Sequence, residues 1–487
     1  MIPEPMTLPP HKTKIVATIG PASESPEMLE RLIRAGLDIA RLNFSHGDFQ
    51  GHADRIARIR AAAQATGRRV AIMADLPGPK MRLGQISPEP IQLAPGDPFT
   101  LTSDDIVGDA QRVSMSFEPL PRVVKPGNRL FLNDGMVQLI VERVSGNDVH
   151  CITAVGGELR SRKGLNLPGI NLGISAFTDH DRVCLEFALI HGVDAVGQSF
   201  VERAADLEAL RAAAAALGKS PFIIAKIERS DALIYLDEIL QASDGIMVAR
   251  GDLGVEVPIE QIAVIQKQII AKATAAGKPV ITATQMLESM TTSRLPTRAE
   301  ATDVANAILD GTDGIMLSGE SAIGKFPVEA VAMLAGIAVS AEAYRDAGRL
   351  DGTLPEPRLV ASAREEVAIA DVVQHSLGIA QAAAVFAPTR SGTTARLISR
   401  FKPRIWTIAI CRNAAVCQGL AFSYGVHAVQ LEDEPADWRA FARNWLTDHA
   451  VPARLAILVA GPSHRHPEAN HRIEFLRIGS PAGVPVP

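Results

Sequence analysis

The sequence predicts an α/β protein, a (β/α)8 TIM barrel with an inserted small β-barrel lid domain and a C-terminal α/β domain. Eight short apolar runs, rich in Val and Ile, recur with helical patterns between them, which is the alternation that such a barrel requires. One long gap after the third run carries alternating apolar residues and turn signals instead. A further strand–helix alternation follows the eighth run, so the 487 residues divide into about three domains.

The eight runs have the length of barrel strands, and each ends in small or polar residues. Segments between them, such as Glu27–Ala35, Ala204–Leu217 and Ile259–Ala276, have helix-compatible spacing. Because aromatic residues make up only 4% of the chain, the core must consist of Ala, Val, Ile and Leu, which suits a parallel sheet covered by helices. The predicted strands are Ile15–Gly20, Ile39–Ser45, Val70–Leu76, Ala195–Val201, Phe222–Glu228, Gly245–Gly251, Val280–Met286 and Gly314–Glu320.

The long gap predicts a lid domain inserted after the third barrel strand. Val137–Val144 and Asp148–Ala154 alternate in β fashion, with turns at Asn133-Asp-Gly and Ser145-Gly-Asn. An insertion here lies at the catalytic rim of a barrel, where it could act as a lid. The predicted domains are residues 1–79 and 176–347 (barrel), 80–175 (lid) and 348–487 (regulatory α/β domain).

The C-terminal domain is predicted from a second alternation of strands and helices. It begins with a Gly/Pro/charged linker at Gly348–Arg358. Its predicted strands are Ala383–Ala387, Ile405–Ile410 and Leu455–Val459.

Composition excludes several classes of function. A formal charge of −5 gives no global basic field for nucleic acid. No apolar run approaches the ~20 residues of a membrane span, and the N-terminus lacks the apolar core of a signal peptide. Cys151, Cys184, Cys411 and Cys417 form no CxxC pair, so we expect neither a zinc site nor a disulfide, but reduced thiols in a cytoplasmic enzyme.

Charged residues at the ends of buried parallel strands indicate catalysis. The fifth run ends Lys226-Ile-Glu228, and residues two apart on a strand point to the same face. With Asp252 from the next strand, two carboxylates can bind Mg²⁺ and leave positions for substrate oxygens. Lys226 would then stabilise the charge of a phosphoryl group. The alternative for Lys226 and Glu228 is a buried ion pair.

Polar residues after other strands extend this candidate site. Arg41 offers a planar donor fork for a phosphate or carboxylate, or else forms a surface ion pair. Asn43, Ser45 and Asp75 could form an oxygen cage for a cation, although all three also suit turns and helix caps. Gly251 lets a substrate approach the backbone closely.

The residues at these strand ends lie in stretches that resemble the pyruvate kinase family along nearly the whole chain. The stretches include KTKIVATIGPAS, IARLNFSHG, KGLNLPG, KIERSDAL, DGIMVARGDLGVEVP and a long one that begins PVITATQMLESM. The resemblance implies the last step of glycolysis, in which phosphoenolpyruvate and ADP give pyruvate and ATP, with Mg²⁺ (or Mn²⁺) as cofactor. It also implies a homotetramer with allostery between subunits.

The resemblance assigns roles to residues by position. It implies that Arg41 contacts the substrate phosphate, that Lys226 contacts the transferring phosphoryl group, and that Gly251, Asp252 and Thr284 line the phosphoenolpyruvate pocket. It implies that the Mg²⁺ ligands are Glu228 and Asp252, and that the nucleotide contacts are Asn43, His46, Arg82 and Lys163. The monovalent-cation positions it implies are Asn43, Ser45, Asp75 and the carbonyl of Leu76.

Protonation of the enolate needs a route for a proton. We expect Thr284, with Ser318 and Glu320, to supply it through water. Without further information, hydroxyls bonded to their own backbone are the simpler interpretation.

One motif departs from the commoner family pattern. Potassium-dependent members usually read Asp-Thr-Lys-Gly-Pro-Glu after the third strand, whereas this chain reads Asp75-Leu-Pro-Gly-Pro-Lys80. A tethered ammonium can stand in for K⁺, and Leu76 lacks the side-chain oxygen of Thr. We therefore predict that catalysis does not require K⁺. The alternative is that Lys80 points to solvent and the cage still binds K⁺.

The C-terminal domain contains a candidate effector loop between a strand and a helical stretch. Hydroxyls and N–H groups at a helix start can bind phosphate, and in the family this loop holds a sugar-phosphate activator. Ordinary N-capping without a ligand is the alternative. The departure at Gly461-Pro-Ser-His-Arg-His leaves the identity of the effector open, either a sugar phosphate or a nucleotide. The loop residues are Thr389, Arg390, Ser391, Gly392, Thr393 and Thr394.

Two other functions stay open from sequence alone. A Mg²⁺-dependent barrel lyase of the aldolase type, acting on pyruvate-like acids, would use the same carboxylates but would need neither Arg82 nor Lys163. A non-catalytic sugar-phosphate sensor would have no use for intact Lys226, Glu228 and Asp252.

Overall fold

The computed structural model describes residues 7–345, 364–462 and 468–479, so the predicted linker Gly348–Arg358 lies outside the described residues. The chain begins with two strand–helix units and a third strand, as predicted. Ser25 and Asp48 cap the two helices by accepting backbone N–H groups of the first turn. The elements are β1 (Lys14–Thr18), α1 (Pro26–Ala35), β2 (Leu37–Asn43), α2 (Phe49–Thr66) and β3 (Ala71–Asp75).

The chain then leaves the barrel for a group of mostly antiparallel strands, as the alternation predicts. The elements are β4 (Ile91–Leu93), β5 (Pro98–Thr102), β6 (Arg112–Ser114), α3 (Leu120–Val123), β7 (Arg129–Leu132), β8 (Val137–Ser145), β9 (Asp148–Val155), β10 (Gly157–Leu159) and β11 (Leu165–Asn166). Six of them form one sheet in the order β11-β7-β8-β9-β5-β6, and β10 pairs with β4. Asn133, Asp134 and Gly135 have positive φ in the turn between β7 and β8. We call β4–β11 the inserted strands, and they enclose an apolar core of their own.

The strand–helix alternation resumes after the inserted strands. The strands are β12 (Ala195–Gln198), β13 (Phe222–Ile227), β14 (Gly245–Ala249), β15 (Val280–Ala283) and β16 (Gly314–Leu317). The helices are α4 (Asp179–Ile190), α5 (Ala204–Ala216), α6 (Ser230–Ile234), α7 (Leu236–Ala242), α8 (Arg250–Glu256), α9 (Ile262–Ala275), α10 (Arg298–Leu309), α11 (Gly319–Ala322) and α12 (Pro327–Tyr344), with 3₁₀ turns at Ile259–Gln261 and Glu288–Thr291.

The eight parallel strands close into a barrel in the order β1-β16-β15-β14-β13-β12-β3-β2, which confirms the predicted fold class. Side chains that point outward pack under the helices, and those that point inward form a second core of Val, Ile, Ala and Met. Phe422, from the C-terminal domain, joins the inner core. Its ring stacks on Phe222 with centroids 5.0 Å apart, so it closes the barrel floor.

The C-terminal part of the chain is an α/β domain, as predicted, and it is built on a five-stranded sheet. Its elements are α13 (Arg364–Ile379), β17 (Ala384–Pro388), α14 (Thr393–Ser399), β18 (Trp406–Cys411), α15 (Ala414–Gly419), a 3₁₀ turn (Leu420–Phe422), β19 (Val426–Gln430), α16 (Trp438–Asp448), β20 (Leu455–Ala460) and β21 (Arg472–Arg477). The order is β19-β18-β17-β20-β21, with β21 antiparallel to β20. Neither β19 nor β21 was predicted.

The prediction that all four cysteines are reduced is wrong for two of them. Cys411 and Cys417 form a disulfide. Cys411 ends β18 and Cys417 lies in the helix that packs back on this strand, so their Cα atoms are 6.0 Å apart, within the range of a disulfide. Cys151 and Cys184 are free and buried.

Helix α12 is the single helix in the described part of the chain that is long and apolar enough, by length and composition, to cross a membrane. It is an exception to the predicted absence of such runs. The helix packs against β1, β16, α1 and α10, so a place in the barrel wall accounts for its composition.

Candidate functional site

The predicted catalytic residues lie at one edge of the barrel. Arg41 is in β2, Asp75 ends β3, Lys226 is in β13 and Glu228 follows that strand. Because the strands are parallel, their carboxyl ends meet at this edge, which we call the barrel mouth. The other predicted residues at the mouth are Gly251 and Asp252 after β14, Thr284 after β15, and Ser318 and Glu320 after β16.

A continuous chain of ion pairs joins four of these side chains. Arg41 Nε donates to Asp75 Oδ2 at 2.7 Å. Lys226 Nζ lies 3.1 Å from Asp75 Oδ1 and 2.8 Å from Glu228 Oε1. None of the four residues is more than 8% exposed, so Arg41 is not in a surface ion pair. Asp75 thus holds two cationic side chains in fixed orientations at the mouth.

The charges in this network support one another. Burial lowers the pKa of Lys226, but the carboxylates of Asp75 and Glu228 outweigh it, and the net pKa is raised. Burial raises the pKa of Asp75, and Lys226 and Arg41 reverse this to a net lowering. The pKa of Glu228 is raised, first by burial and then by Asp252 against the opposing effect of Lys226. Lys226 is therefore a permanent ammonium.

Asp252 lies close to the inserted strands. It occupies the first turn of α8, and burial, with Asp134 contributing, raises the pKa of its carboxyl against the effect of Lys226. Asp134 belongs to the turn between β7 and β8. In the same turn, a Cβ on Gly135 would lie 3.5 Å from Val255 Cγ1 of α8. The tip of the inserted strands thus reaches the barrel mouth.

Thr284 is held in an unusual conformation. Its φ is +70°, which a β-branched residue rarely adopts. Its Oγ1 accepts the N–H of Gly251 at 2.6 Å and donates to the carbonyl of Ala283 at 2.7 Å. Strained residues that their surroundings fix in this way are typical of functional sites.

Glu320 is fixed by backbone groups. Its Oε1 accepts the N–H of Leu287 at 3.1 Å and its Oε2 accepts the N–H of Ser318 at 2.8 Å, and the side chain is fully buried. These bonds tie the ends of β15 and β16 together. They give Glu320 a positioning role, while its predicted part in moving a proton stays a prediction.

Lys80 points towards the predicted monovalent-cation positions. Its Nζ donates to the carbonyl of Ser45 at 3.0 Å. Asn43 Oδ1 accepts the N–H of Ser45 at 3.1 Å, as a turn residue would. Burial lowers the pKa of Lys80, with Arg82 adding to the effect and Asp181 opposing it. The alternative in which Lys80 points to solvent does not describe this side chain.

Sequence reasoning missed Ser199, which lies at the centre of the site. Its Oγ accepts from Lys226 Nζ at 2.6 Å and donates to the carbonyl of Leu76 at 2.7 Å. It therefore links the ammonium of Lys226 to a predicted cation position. A polar residue at the end of the fourth apolar run was the available signal. Thr18, whose Oγ1 accepts from Arg41 Nη1 at 2.8 Å, was missed as well.

The predicted nucleotide residues lie around the base of the inserted strands. The backbones of Arg82 and Gly164 form an antiparallel β-bridge, and the N–H of Leu83 donates to the carbonyl of Lys163 at 2.9 Å. The two chain segments that carry Arg82 and Lys163 are thus paired. Burial lowers the pKa of His46, and the positive charges of Lys80, Arg82 and Arg41 lower it further. His46 therefore lies near these three cationic residues at the mouth.

The candidate effector loop borders a cavity of about 500 Å³ in the C-terminal domain. Gly392 has φ +81°, and its N–H donates to Thr389 Oγ1 at 2.9 Å. Ser391 and Thr393 share a hydrogen bond between their hydroxyls at 2.8 Å. The cavity wall also contains, besides Arg390 and Thr394, the residues Arg412, Asn413, Glu432 and His471.

Two carboxylates at the mouth suit a hard divalent cation. Glu228 and Asp252 are oxygen donors, burial raises the pKa of each, and Asp252 raises that of Glu228 further, so a cation between them would relieve repulsion. In the described part of the chain no group of three or more His, Cys, Asp or Glu residues could hold a metal alone. Substrate oxygens would complete such a site.

Comparison with known proteins gives matches over most of the chain. The family model for the pyruvate kinase barrel domain matches residues 10–331, and that for the pyruvate kinase alpha/beta domain matches residues 367–467. A pyruvate kinase of Thermococcus litoralis is 49% identical, over 88% of this chain and 90% of its own. One of Geobacillus stearothermophilus is 41% identical, over 92% and 77%. The crystal structure of a Cryptosporidium parvum pyruvate kinase superposes with a TM-score of 0.87 at 36% identity, covering 96% of this chain and 97% of the other.

Proposed function

The chain belongs to the pyruvate kinase family, and we propose that it transfers the phosphoryl group of phosphoenolpyruvate to ADP, giving pyruvate and ATP. Membership makes it a glycolytic phosphotransferase. The observation that carries the proposal is the buried network of Arg41, Asp75, Lys226 and Glu228 at the barrel mouth. Phosphoryl transfer depends on positioning and charge neutralisation, which such a network supplies.

Glu228 and Asp252 would hold Mg²⁺, with Mn²⁺ as an alternative. When bound, the cation neutralises charge on substrate oxygens. Lys226 binds the transferring phosphoryl group, and Arg41 binds its phosphate oxygens from the side of β2. Asp75 holds the side chains of Lys226 and Arg41 in place at the mouth. Because the three N–H donors of Lys226 contact Asp75, Glu228 and Ser199, one of these contacts would be exchanged for a phosphoryl oxygen. Gly251 and Thr284 line the phosphoenolpyruvate pocket beside them.

The enolate product must receive a proton on its methylene carbon. We propose that Thr284 relays a solvent proton to this carbon through water. Its hydroxyl accepts the N–H of Gly251 and donates to the carbonyl of Ala283, and it would turn from that carbonyl to pass on its proton and take another from solvent water. Ser318 and Glu320 belong to the same predicted route, with Glu320 holding Ser318 in place.

The nucleotide would lie between the barrel mouth and the inserted strands. Arg82 and Lys163 would contact its phosphates, with Asn43 and His46 on the barrel side. The paired segments that carry Arg82 and Lys163 support this placement. Residues 80–175 would act as the lid, residues 1–79 and 176–347 as the barrel and residues 348–487 as the regulatory domain.

We propose that Lys80 replaces the monovalent cation, so that catalysis does not require K⁺. The bond from Lys80 Nζ to the carbonyl of Ser45 supports it, because it places the ammonium at one of the residues predicted to form the cage. A sugar phosphate or a nucleotide would bind at the cavity beside the effector loop and activate the enzyme, which we propose to be a cytoplasmic homotetramer.

A coupled assay for pyruvate tests the main proposal. The wild type is expected to form pyruvate from phosphoenolpyruvate only with ADP and a divalent cation. Lys226→Met should lower kcat by about 100- to 1,000-fold, because it removes a charge aimed at the transition state. Lys272→Met, on an exposed lysine of α9, is the matched control and should not change the rate. Undiminished turnover in Lys226→Met would defeat the assigned role. An aldolase-type lyase breaks a carbon–carbon bond and a sensor catalyses no reaction, so neither would form pyruvate from phosphoenolpyruvate.

A further inference from the structure

Arg229 is a fully buried cation beside the proposed metal site that the mechanism above does not use. It directly follows Glu228, it is 1% exposed, and it is the largest fully buried side chain in the part of the chain that the structure describes. Among the described residues, its Nε and Nη1 have no partner in hydrogen-bond geometry, although Nε lies within ion-pair distance of a carboxylate. Burying a guanidinium with unsatisfied N–H groups is unfavourable, so an apolar side chain of similar volume would serve packing alone as well or better.

The Nη2 group of Arg229 binds the segment through which the chain returns from the inserted strands. It donates to the carbonyl of Ile170 at 2.8 Å and to that of Leu167 at 3.4 Å. The side chains of Leu167 and Ile170 are buried in the core of the inserted strands. A residue of the barrel therefore binds backbone groups that are fixed to the inserted strands.

The other side of the guanidinium faces three carboxylates. Its Nε lies 3.4 Å from Glu202 Oε1 and 3.9 Å from Glu256 Oε2, and Nη2 lies 3.8 Å from Asp231 Oδ2. Glu256 is the last residue of α8, the helix that carries Asp252. Arg229 thus connects the helix with a proposed metal ligand to the base of the inserted strands.

The segment bound by Arg229 is close in sequence to a proposed nucleotide contact. Lys163 precedes Leu167 by four residues, and its carbonyl accepts the N–H of Leu83 at 2.9 Å. The N–H of Leu165 donates to the carbonyl of Met81 at 2.9 Å. Backbone hydrogen bonds therefore hold residues 81–83 and 163–165 to each other at the base of the inserted strands, and Arg229 is a contact that fixes this base to the barrel.

We propose that Arg229 is a positioning residue that fixes the base of the inserted strands on the barrel mouth and thereby sets the distance at which Arg82 and Lys163 meet the nucleotide. The proposal rests on the proposed function for its kinetic consequence. Its structural part, the anchoring of residues 163–172, does not depend on any activity.

Two variants separate anchoring from general stability. Arg229→Met removes both carbonyl contacts, and Arg229→Lys keeps a charge without the planar fork. Arg211→Met is the matched control, because Arg211 also donates to a carbonyl, that of Ala242 at 2.9 Å, and pairs with a carboxylate, but on the outside of the barrel.

Two measurements on the full chain decide the proposal. In Arg229→Met, the KM for ADP should rise roughly tenfold or more while the KM for phosphoenolpyruvate changes less than about twofold, because the contacts of Arg41 and Lys226 remain. Hydrogen–deuterium exchange over residues 163–172 should become faster, with β15 unchanged. Arg229→Lys should show a smaller change in the same direction, and Arg211→Met none.

Equal rises in both KM values, or unchanged exchange over residues 163–172, would overturn the proposal. If Arg229→Met does not fold, Arg229→Lys is measured in the same way and decides by the same two criteria. If the wild type forms no pyruvate, the proposed function fails, and the exchange experiment still tests the anchoring by Arg229.

Discussion

Replacement of Lys80 by methionine tests whether this chain carries its own monovalent cation. The change removes the ammonium and keeps most of the stem. The structure shows a charge-assisted hydrogen bond from Nζ to the carbonyl of Ser45 at 3.0 Å. Bonds of this kind contribute about 1.5–3 kcal/mol. If the whole contribution acts in the transition state, its loss lowers kcat by about 10- to 150-fold.

The assay compares initial rates of pyruvate formation in potassium chloride and in tetramethylammonium chloride at equal ionic strength. The wild type should be equally fast in both salts. Lys80→Met should be slow in tetramethylammonium and recover in potassium, because K⁺ can then enter the vacated position. Lys125→Met, on an exposed lysine near the inserted strands, is the control and should behave like the wild type.

Two results would refute this reasoning. The first is strong K⁺ activation of the wild type at saturating substrates, which would mean that Lys80 does not replace the cation. The second is a Lys80→Met variant that stays fast in tetramethylammonium, which would mean that no cation is needed there.

Three further outcomes follow from particular side chains. Glu320→Gln places an amide opposite two backbone N–H groups, so we expect the free energy of unfolding to fall by about 1–3 kcal/mol; urea unfolding measures it, and an unchanged midpoint would contradict the described bonds. Burial and Lys14 lower the pKa of His427 to about 3. Above pH 6.5 this histidine is neutral in the folded and in the unfolded chain. As the pH falls from 6.5 towards 3, only the unfolded chain takes up the proton, so the free energy of unfolding decreases. Between pH 8 and pH 5 the wild type should therefore lose about 2 kcal/mol more stability than His427→Gln, and equal losses would contradict this assignment. Ser391→Glu places a carboxylate in the effector loop, so activation by sugar phosphates should vanish at unchanged basal kcat; retained activation would place the effector elsewhere.

The barrel could be predicted from sequence because its strands obey a simple rule. Parallel strands covered on both faces read as continuous apolar runs, and polar residues such as Asp75 and Glu228 stand out at their ends. Strand β21 could not be found in this way, since an edge strand with Arg472, Glu474 and Arg477 has no apolar run.

The finer geometry of the site was beyond sequence reasoning. Ser199 is a polar residue near the end of the fourth apolar run, but its bonds to Lys226 and to the carbonyl of Leu76 depend on the packing of β12 between β13 and β3. The direction of Lys80 depends on the turn that brings Ser45 within reach, which composition does not encode. The pairing of Cys411 with Cys417 depends on how α15 packs back on β18.

The closure of the barrel floor by Phe422 affects how the molecule unfolds. The phenyl ring belongs to the C-terminal domain, yet it lies in the inner core of the barrel and stacks on Phe222. Lys402 adds a buried ion pair with Asp313, at 2.7 Å, beside the start of β16. Because neither body can lose its structure without exposing apolar surface of the other, heating should melt the barrel and the C-terminal domain in one cooperative transition, and a ligand in the effector cavity should raise the melting temperature of both.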